Sequence, residues 1–258
     1  MTSLLAVDVG NSHTKLGWFQ DGKLRGETRF PTRGLVAQIS NLRHAVAEFT
    51  RGHGARPAAA VMCSVVPRAT AGWRRALADV CGAKPLVVSG DSDIGIANHY
   101  ADPASLGPDR LVAALAAREL YGAPVIVVSL GTATVVDAVS RAGEFLGGAI
   151  APGIEISLGA LAQRAARLPP VAFEVASRAI ATDTRAGMIA GAFFGAVGQV
   201  RELLARQRAE MKQDVPAVIT GGWGELLAPH LANIAAVEPA LTLVGLRLAW
   251  EYRAIKGM

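Results

Sequence analysis

Cysteine is nearly absent from this chain: Cys63 and Cys81 are the only two among 258 residues. They lie in apolar surroundings without CxxC spacing, which excludes a disulfide framework and a thiolate metal centre, and both read as free, buried and reduced. The five histidines, His13, His44, His53, His99 and His230, are scattered without metal-ligand spacing. Aromatic residues make up only 5% of the chain, and its densest basic stretches, RGHGAR at 51–56 and WRR at 73–75, carry no interleaved aromatics. Nucleic acid is therefore not an expected partner, and the net charge of +5 reads as a basic substrate cleft or a solvated surface. The longest uncharged stretch near the C-terminal half, Ala186 to Val200, is shorter than the roughly 20 residues a membrane span needs. The opening MTSLLAVDVG has no cationic segment of the signal-peptide kind, so a cytoplasmic protein without a membrane partner is expected. Two nucleotide-binding patterns are also missing: GxxxxGK followed by Ser or Thr, and GxGxxG after a strand.

What the chain does have is a glycine-centred loop that occurs twice. LLAVDVGNSHTKLG, from Leu4 to Gly17, is echoed by VIVVSLGTATVVDA, from Val125 to Ala138. At an offset of 121 residues Asp8 pairs with Ser129, Gly10 with Gly131 and Asn11 with Thr132. A glycine at a loop tip lets backbone amides approach an anion, and an aspartate beside it can hold a hard cation. Together these point to a nucleotide phosphate with its Mg2+. In the first copy Asn11 and Ser12 supply donors, Asp8 is the metal candidate, and Lys15 is a candidate phosphate partner that could equally face solvent. An ordinary hairpin would use the same turn residues; it is the duplication that favours the phosphate reading.

The order of elements repeats as well. Apolar runs at Leu4–Val9, Thr14–Phe19 and Lys23–Phe30 predict three strands, with Asp21-Gly22 as a turn. A helix over Leu35–Phe49, a strand over Ala58–Val66, a helix over Ala71–Cys81, a strand over Pro85–Ser89 and a helix over Asp109–Leu120 complete the first half. The second half restarts with strands at Val125–Leu130, Thr134–Val139 and Glu144–Ile150. A helix from Pro152-Gly153, a long helix from Asp183, a strand at Ala217–Ile219 and helices at Trp223–Leu231 and Leu241–Ala254 follow. This βββαβα order, used twice, predicts an α/β protein of two ribonuclease-H-like (actin-like ATPase) domains related by internal duplication, 1–122 and 123–258, with a nucleotide cleft between them.

Three further motifs leave alternatives open. Thr220-Gly221-Gly222 ends a strand before a helix, which suits either backbone packing against a nucleoside or tight helix–strand packing. Gly107-Pro108-Asp109-Arg110 opens a helix; Asp109 either favours the helix dipole or does acid–base work beside a substrate. Gly187, Gly191 and Gly195 form a stripe on the long helix, suited to core packing or to a dimer interface.

Taken together, DVGNS at 8–12, YADPASLGPDR at 100–110, GTATVVD at 131–137, FLGGAIAPG at 145–153, ARLP at 166–169, ATDTRAGMIAGAFFG at 181–195 and ITGG at 219–222 resemble the type III pantothenate kinases. These belong to the superfamily of acetate kinase, sugar kinases, Hsp70 and actin. The resemblance implies transfer of the ATP γ-phosphate to pantothenate, the first step of coenzyme A synthesis, by a homodimer. It makes Asp8 the aspartate that organises Mg2+-ATP, Asp109 the general base and Arg110 a substrate-binding arginine. Tyr100, Gly107 and Thr184 match positions lining the pantothenate pocket, with Thr184 reaching it from the neighbouring subunit. Thr132 matches the second phosphate loop, and Gly221 and Gly222 the adenosine side. Many relatives carry, where this chain has Ser129, an aspartate that helps hold a monovalent cation, K+ or NH4+. A neutral hydroxyl there predicts a weak or absent requirement for that cation. Another small-molecule kinase of the same superfamily, or a non-catalytic regulatory fold-mate, is the alternative; retention of both Asp8 and Asp109 argues against the latter.

Overall fold

The structure, a computed structural model, describes residues 3–35, 39–53 and 56–257. Its chain divides into two compact units, Met1–Glu119 with Ala240–Met258, and Leu120–Pro239. The first unit opens with a meander of β1 (Ser3–Val9), β2 (His13–Gln20) and β3 (Lys23–Pro31). Helices α1 (Thr32–Leu35) and α2 (Ile39–Arg51) lead to β4 (Ala59–Ser64), α3 (Pro67–Cys81) and β5 (Leu86–Val88). Helix α4 (Pro108–Tyr121) runs past the division between the units, and α8 (Leu241–Ile255) returns to the first unit from the far end of the chain. The sheet order is β3-β2-β1-β4-β5, antiparallel through the meander and parallel from β1 outward.

The second unit repeats this plan. Strands β6 (Val125–Leu130), β7 (Ala133–Val139) and β8 (Phe145–Pro152) form the meander. After it come α5 (Ile154–Arg164), α6 (Thr184–Met211), β9 (Ala217–Thr220), α7 (Gly224–Leu227) and β10 (Ile234–Val237). The order β10-β9-β6-β7-β8 is the first sheet's order read from the other edge. Two five-stranded mixed sheets of one topology are the pair of ribonuclease-H-like domains that the repeated order of elements predicts.

Strands β1, β4 and β6 read as continuous apolar runs because they lie inside their sheets with both faces covered. In the first unit Leu5, Val7, Leu16, Met62, Trp73 and Leu77 share one core. Ile126, Val128, Val136, Phe193, Val200 and Ile219 share the other. Helix α3 begins at Pro67, whose missing N–H is harmless in a first turn, and stops at Gly82, which adopts φ 72° and donates to the Ala78 carbonyl.

Of the predicted Leu35–Phe49 helix, Leu35 ends α1 and the part from Ile39 onward lies in α2; positions 36–38 lie outside the described residues, as do 54 and 55 of the basic stretch at 51–56. Strand β10 has no counterpart among the predicted elements. It is a four-residue edge strand with a register shift, too short for an alternating pattern. The unit boundary falls at 119/120, and α8 belongs with the first unit because it packs on β1 and β4. By length and composition alone α6 would qualify to cross a membrane. Its Met188, Ile189, Phe193, Val197, Val200 and Leu204 are nevertheless buried within the protein.

Candidate active site

The first hairpin loop is closed by its own backbone. Gly10 N–H donates to the His13 carbonyl at 3.1 Å, and a Cβ on Gly10 would stand 2.8 Å from that same oxygen. The chain returning from β3 buttresses the turn. Thr32 N–H donates to the Ser12 carbonyl at 2.9 Å, while its hydroxyl donates to the Gly10 carbonyl at 2.7 Å and lies 3.0 Å from the Thr14 hydroxyl. Asn11 and Ser12 are exposed at the tip.

Asp8 is the last-but-one residue of β1 and only 9% exposed. Its register partners are Lys15 on β2 and Cys63 on β4, so the three side chains form a row on one face of the sheet. Cys63 Sγ donates to Asp8 Oδ1 at 3.5 Å, and Thr242 Oγ1, from the first turn of α8, donates to Oδ2 at 3.0 Å. The Cys63 thiol is held well above its ordinary pKa, first by burial and then by the charges of Asp8 and Asp109 and the hydrogen bond to Asp8. Both carboxylates therefore act on one buried sulfur atom at the C-terminal ends of β1 and β4.

Asp109 stands in the first turn of α4, and its Oδ1 accepts from the Arg110 N–H at 3.0 Å. A Cβ on Gly107 would meet this carboxylate at 2.6 Å, so glycine leaves room for it. The Arg110 guanidinium is buried, lies 5.4 Å from the centre of the Tyr100 ring and donates to the Tyr100 hydroxyl at 3.5 Å. That stacking fixes a planar, doubly donating cation beside a carboxylate, an arrangement suited to an anionic substrate group. Tyr100 is positioned by its loop: its N–H donates to Asn98 Oδ1 at 2.9 Å, and Asn98 Nδ2 donates to the Gly90 carbonyl at 2.9 Å.

In the second unit the loop is one residue shorter. Val9 faces Thr14 across the first hairpin, whereas Leu130 faces Thr134 across the second. Gly131 N–H donates to the Ala133 carbonyl at 3.1 Å, and a Cβ on Gly131 would meet nothing within 4 Å. The chain's own packing thus does not require glycine here. Gly153 closes this loop from below: its N–H donates to the Thr132 carbonyl at 3.2 Å, and a Cβ there would strike the Gly131 and Thr132 carbonyls. Gly221, at φ 97°, packs its backbone on Leu130, and Trp223 N–H donates to the Leu130 carbonyl. Both the unusual φ and the contact demand glycine at 221, and Gly222 is exposed beside it. The row equivalent to Lys15–Asp8–Cys63 is Val135–Ser129–Thr220. Thr220 Oγ1 is buried with no hydrogen-bond partner among the described residues.

Asp183 caps α6 by accepting from the Ala186 N–H at 2.9 Å, which leaves Thr184 exposed at the first helical position. Thr184 lines a hollow with Leu158, Leu161, Leu168, Gly187 and Met188. A Cβ on Gly187, Gly191 or Gly195 would meet nothing within 4 Å. The stripe is therefore not packed into the core of this chain, and Ile156, Leu161 and Phe194 leave 47%, 45% and 40% of their surface exposed nearby.

The sequence-derived candidates thus fall into groups within their own units. Asp8, Gly10, Asn11, Ser12 and Lys15 share one hairpin, adjoining Tyr100, Gly107, Asp109 and Arg110 through Cys63 and Val65, whose Cγ1 lies 3.7 Å from where a Gly107 Cβ would be. Ser129, Gly131, Thr132, Gly221 and Gly222 form the second group. The sequence reading missed Cys63, taken only as a free buried thiol, which it also is. It also missed Thr32, Gly153 and Thr242, the last separated from Asp8 by 234 positions and belonging to no loop motif.

A model of the type III pantothenate kinase family matches residues 4–206. A type III pantothenate kinase of Thermomicrobium roseum is 40% identical over 254 residues, which covers 96% of each chain. Another, of Geobacter sulfurreducens, is 40% identical over 258 residues, covering 96% of this chain and 98% of its own. Among solved structures, the inorganic polyphosphate/ATP-glucomannokinase of Arthrobacter sp. strain KM matches with a TM-score of 0.52 over 99% of this chain and 100% of that one, at 16% identity. At that identity the likeness speaks for the fold alone.

Proposed function

Because this chain belongs to the type III pantothenate kinase family, we propose that Asp109 is its general base, that Asp8 organises Mg2+ with the nucleotide, and that both hairpin loops bind phosphate. The reaction is ATP-dependent phosphorylation of pantothenate to 4′-phosphopantothenate, the first step of coenzyme A synthesis, and a divalent metal accompanies the nucleotide. What supports this assignment of roles is placement: Asp8 lies at the end of β1 beside the first loop, and Asp109 opens α4 next to Gly107, which lies against Val65 just past the end of β4.

The donor set around Asp8 fits a nucleotide-borne Mg2+. No cluster of three or more His, Cys, Asp or Glu side chains exists among the described residues to cage an ion. A single carboxylate whose two oxygens each accept from one neutral donor keeps lone pairs for a hard cation that brings phosphates and water as its other ligands. Bound there, Mg2+ would offset the charge that develops on the phosphate oxygens. Amides and hydroxyls of the Gly10-Asn11-Ser12 loop supply donors to those oxygens in this reading, and Gly131 and Thr132 are the phosphate-binding candidates of the second loop. Lys15, the register partner of Asp8, is the candidate phosphate partner of this loop, and Gly221 and Gly222 serve the adenosine end.

Asp109 accepts the proton of the attacking pantothenate hydroxyl as the new O–P bond forms and the bond to the β-phosphate oxygen breaks, releasing ADP. Arg110, stiffened by Tyr100, pairs with the substrate's carboxylate. The exposed apolar face around Ile156, Leu161 and Phe194, with its open glycine stripe, supports a homodimer in which Thr184 reaches the neighbouring subunit's pantothenate pocket. The neutral Val135–Ser129–Thr220 row supports a weak or absent need for K+ or NH4+, and the cytoplasm is the proposed location.

The test is ATP-dependent appearance of phosphopantothenate with the purified protein, followed by mass. Asp109→Asn is expected to keep Mg2+-ATP affinity and lose turnover by about 100-fold or more. Near-normal turnover in a folded Asp109→Asn protein would remove Asp109 as the base.

A further inference from the structure

We infer that Thr242 is a positioning residue for Asp8, so that the C-terminal helix α8 sets the phosphate-binding carboxylate in place. The inference rests on the role proposed for Asp8. With 9% of its surface exposed, Asp8 receives little orienting solvation from water, and its neighbours decide how the carboxylate is turned. One oxygen accepts from the Cys63 thiol at 3.5 Å, a weak donor at long range; the other accepts from the Thr242 hydroxyl at 3.0 Å. Thr242 therefore supplies the stronger restraint. It does so without adding charge, and leaves the carboxylate free to meet a cation.

The helix that carries Thr242 is itself rigidly seated. Leu241, Leu243, Leu246 and Ala249 are buried, and a Cβ on Gly245 would strike the Val112 carbonyl of α4. Helix α4 is the one that begins with Asp109. The same short stretch of α8 thus touches Asp8 through position 242 and the helix of Asp109 through position 245, fixing the spacing of the two carboxylates. Farther along, the Tyr252 ring lies against Gly95 and Lys256 Nζ donates to Asp93 Oδ2 at 3.1 Å. These contacts hold the loop that leads into Tyr100. A purely structural role for Thr242 would need only a satisfied hydroxyl; the geometry instead aims it at the one carboxylate that faces the nucleotide phosphates in the proposed reaction.

The experiment compares wild type with Thr242→Val, Thr242→Ala and Thr242→Ser, measuring apo melting temperature, Mg2+ dependence of ATP binding by calorimetry, and steady-state kinetics. Valine keeps the shape and removes the donor. It is expected to melt close to wild type, to need about ten-fold more Mg2+ for half-maximal ATP binding, and to lose about ten-fold or more in kcat with the KM for pantothenate unchanged. Serine should restore both quantities to within about three-fold. Wild-type Mg2+ dependence and kcat in Thr242→Val, or a loss that serine fails to rescue, would overturn the inference. If valine does not fold, alanine carries the same comparison. A wild-type protein that forms no phosphopantothenate defeats the functional reading instead, and normal activity in Asp8→Asn defeats the role of Asp8; neither outcome is mimicked by a normal Thr242→Val enzyme.

Discussion

The two units share a sheet, a meander and a hairpin loop, but at equivalent positions they carry different chemistry. Across β2, β1 and β4 the row reads Lys15, Asp8, Cys63; across β7, β6 and β9 it reads Val135, Ser129, Thr220. One is charged and the other neutral. The loops are closed differently too, by the Thr32 hydroxyl in the first unit and by the missing side chain of Gly153 in the second. The glycine amide is turned into the hairpin in both loops, while a carboxylate, the one proposed to meet a cation, stands in only one of the two rows. A reaction that brings in a single nucleotide with its metal needs no more than that.

The largest difference between the units is expected from removing each residue of the Asp8–Ser129 pair. Asp8→Asn is expected to reduce kcat/KM by about a thousand-fold, the scale of losing a preorganised charge contact, whereas Ser129→Ala should stay within about three-fold. Equal losses in the two variants, by steady-state assay at saturating Mg2+, would mean that the units contribute alike. Next in size is the difference in loop closure. Gly153→Ala forces a Cβ onto the Gly131 and Thr132 carbonyls of the second loop, and is expected to destabilise by about 3 kcal/mol. Thr32→Val removes only the hydroxyl contacts to Gly10 and Thr14, and about 1 kcal/mol is expected. Urea unfolding of both variants measures the order, and a larger loss in Thr32→Val would reverse it.

The elements that sequence reveals best here are those whose signal is local. The Asp8-to-Ser12 turn lies between two apolar runs, and α3 and α4 show their apolar faces over several turns. Asp109 and Arg110 share a first turn, so their adjacency needs no tertiary structure to be seen. What escaped was set by distance or by shortness. Thr242 meets Asp8 only because a helix from the end of the chain packs on the first sheet. Strand β10 is four residues of an edge pairing. Cys63 looked inert because burial is what its surroundings showed, and its link to Asp8 depends on the parallel register of β1 and β4, which no local pattern encodes.

A smaller effect is expected from restoring the charge that the second row lacks. Ser129→Asp places a carboxylate beside the buried, unpartnered Thr220 hydroxyl. Activity of the wild-type protein should be nearly independent of K+, while Ser129→Asp should depend on it several-fold, because a half-buried carboxylate in an otherwise neutral row attracts a counterion. A wild-type enzyme whose activity collapses without K+ or NH4+ and returns on adding either would contradict the neutral-row reading.

The smallest effect separates the units by pH. Both cysteines belong to the first unit, and burial pushes the Cys81 thiol up to about 11 from 9.0, with Arg56 opposing. Below pH 9 the thiol keeps its proton folded or unfolded, and the stability it contributes is fully present. Between about 9 and 11 the unfolded chain releases the proton first, so the contribution falls as pH rises and is gone above the folded pKa. Other groups titrate in the same range, among them Tyr121 in the second unit, whose pKa burial raises before the charge of Glu238 adds to it. The difference between proteins therefore isolates the thiol. Cys81→Ala should lose less stability per pH unit than wild type across that window, measured by urea unfolding at a series of pH values. Parallel slopes would show that the Cys81 thiol reaches solvent in the folded first unit.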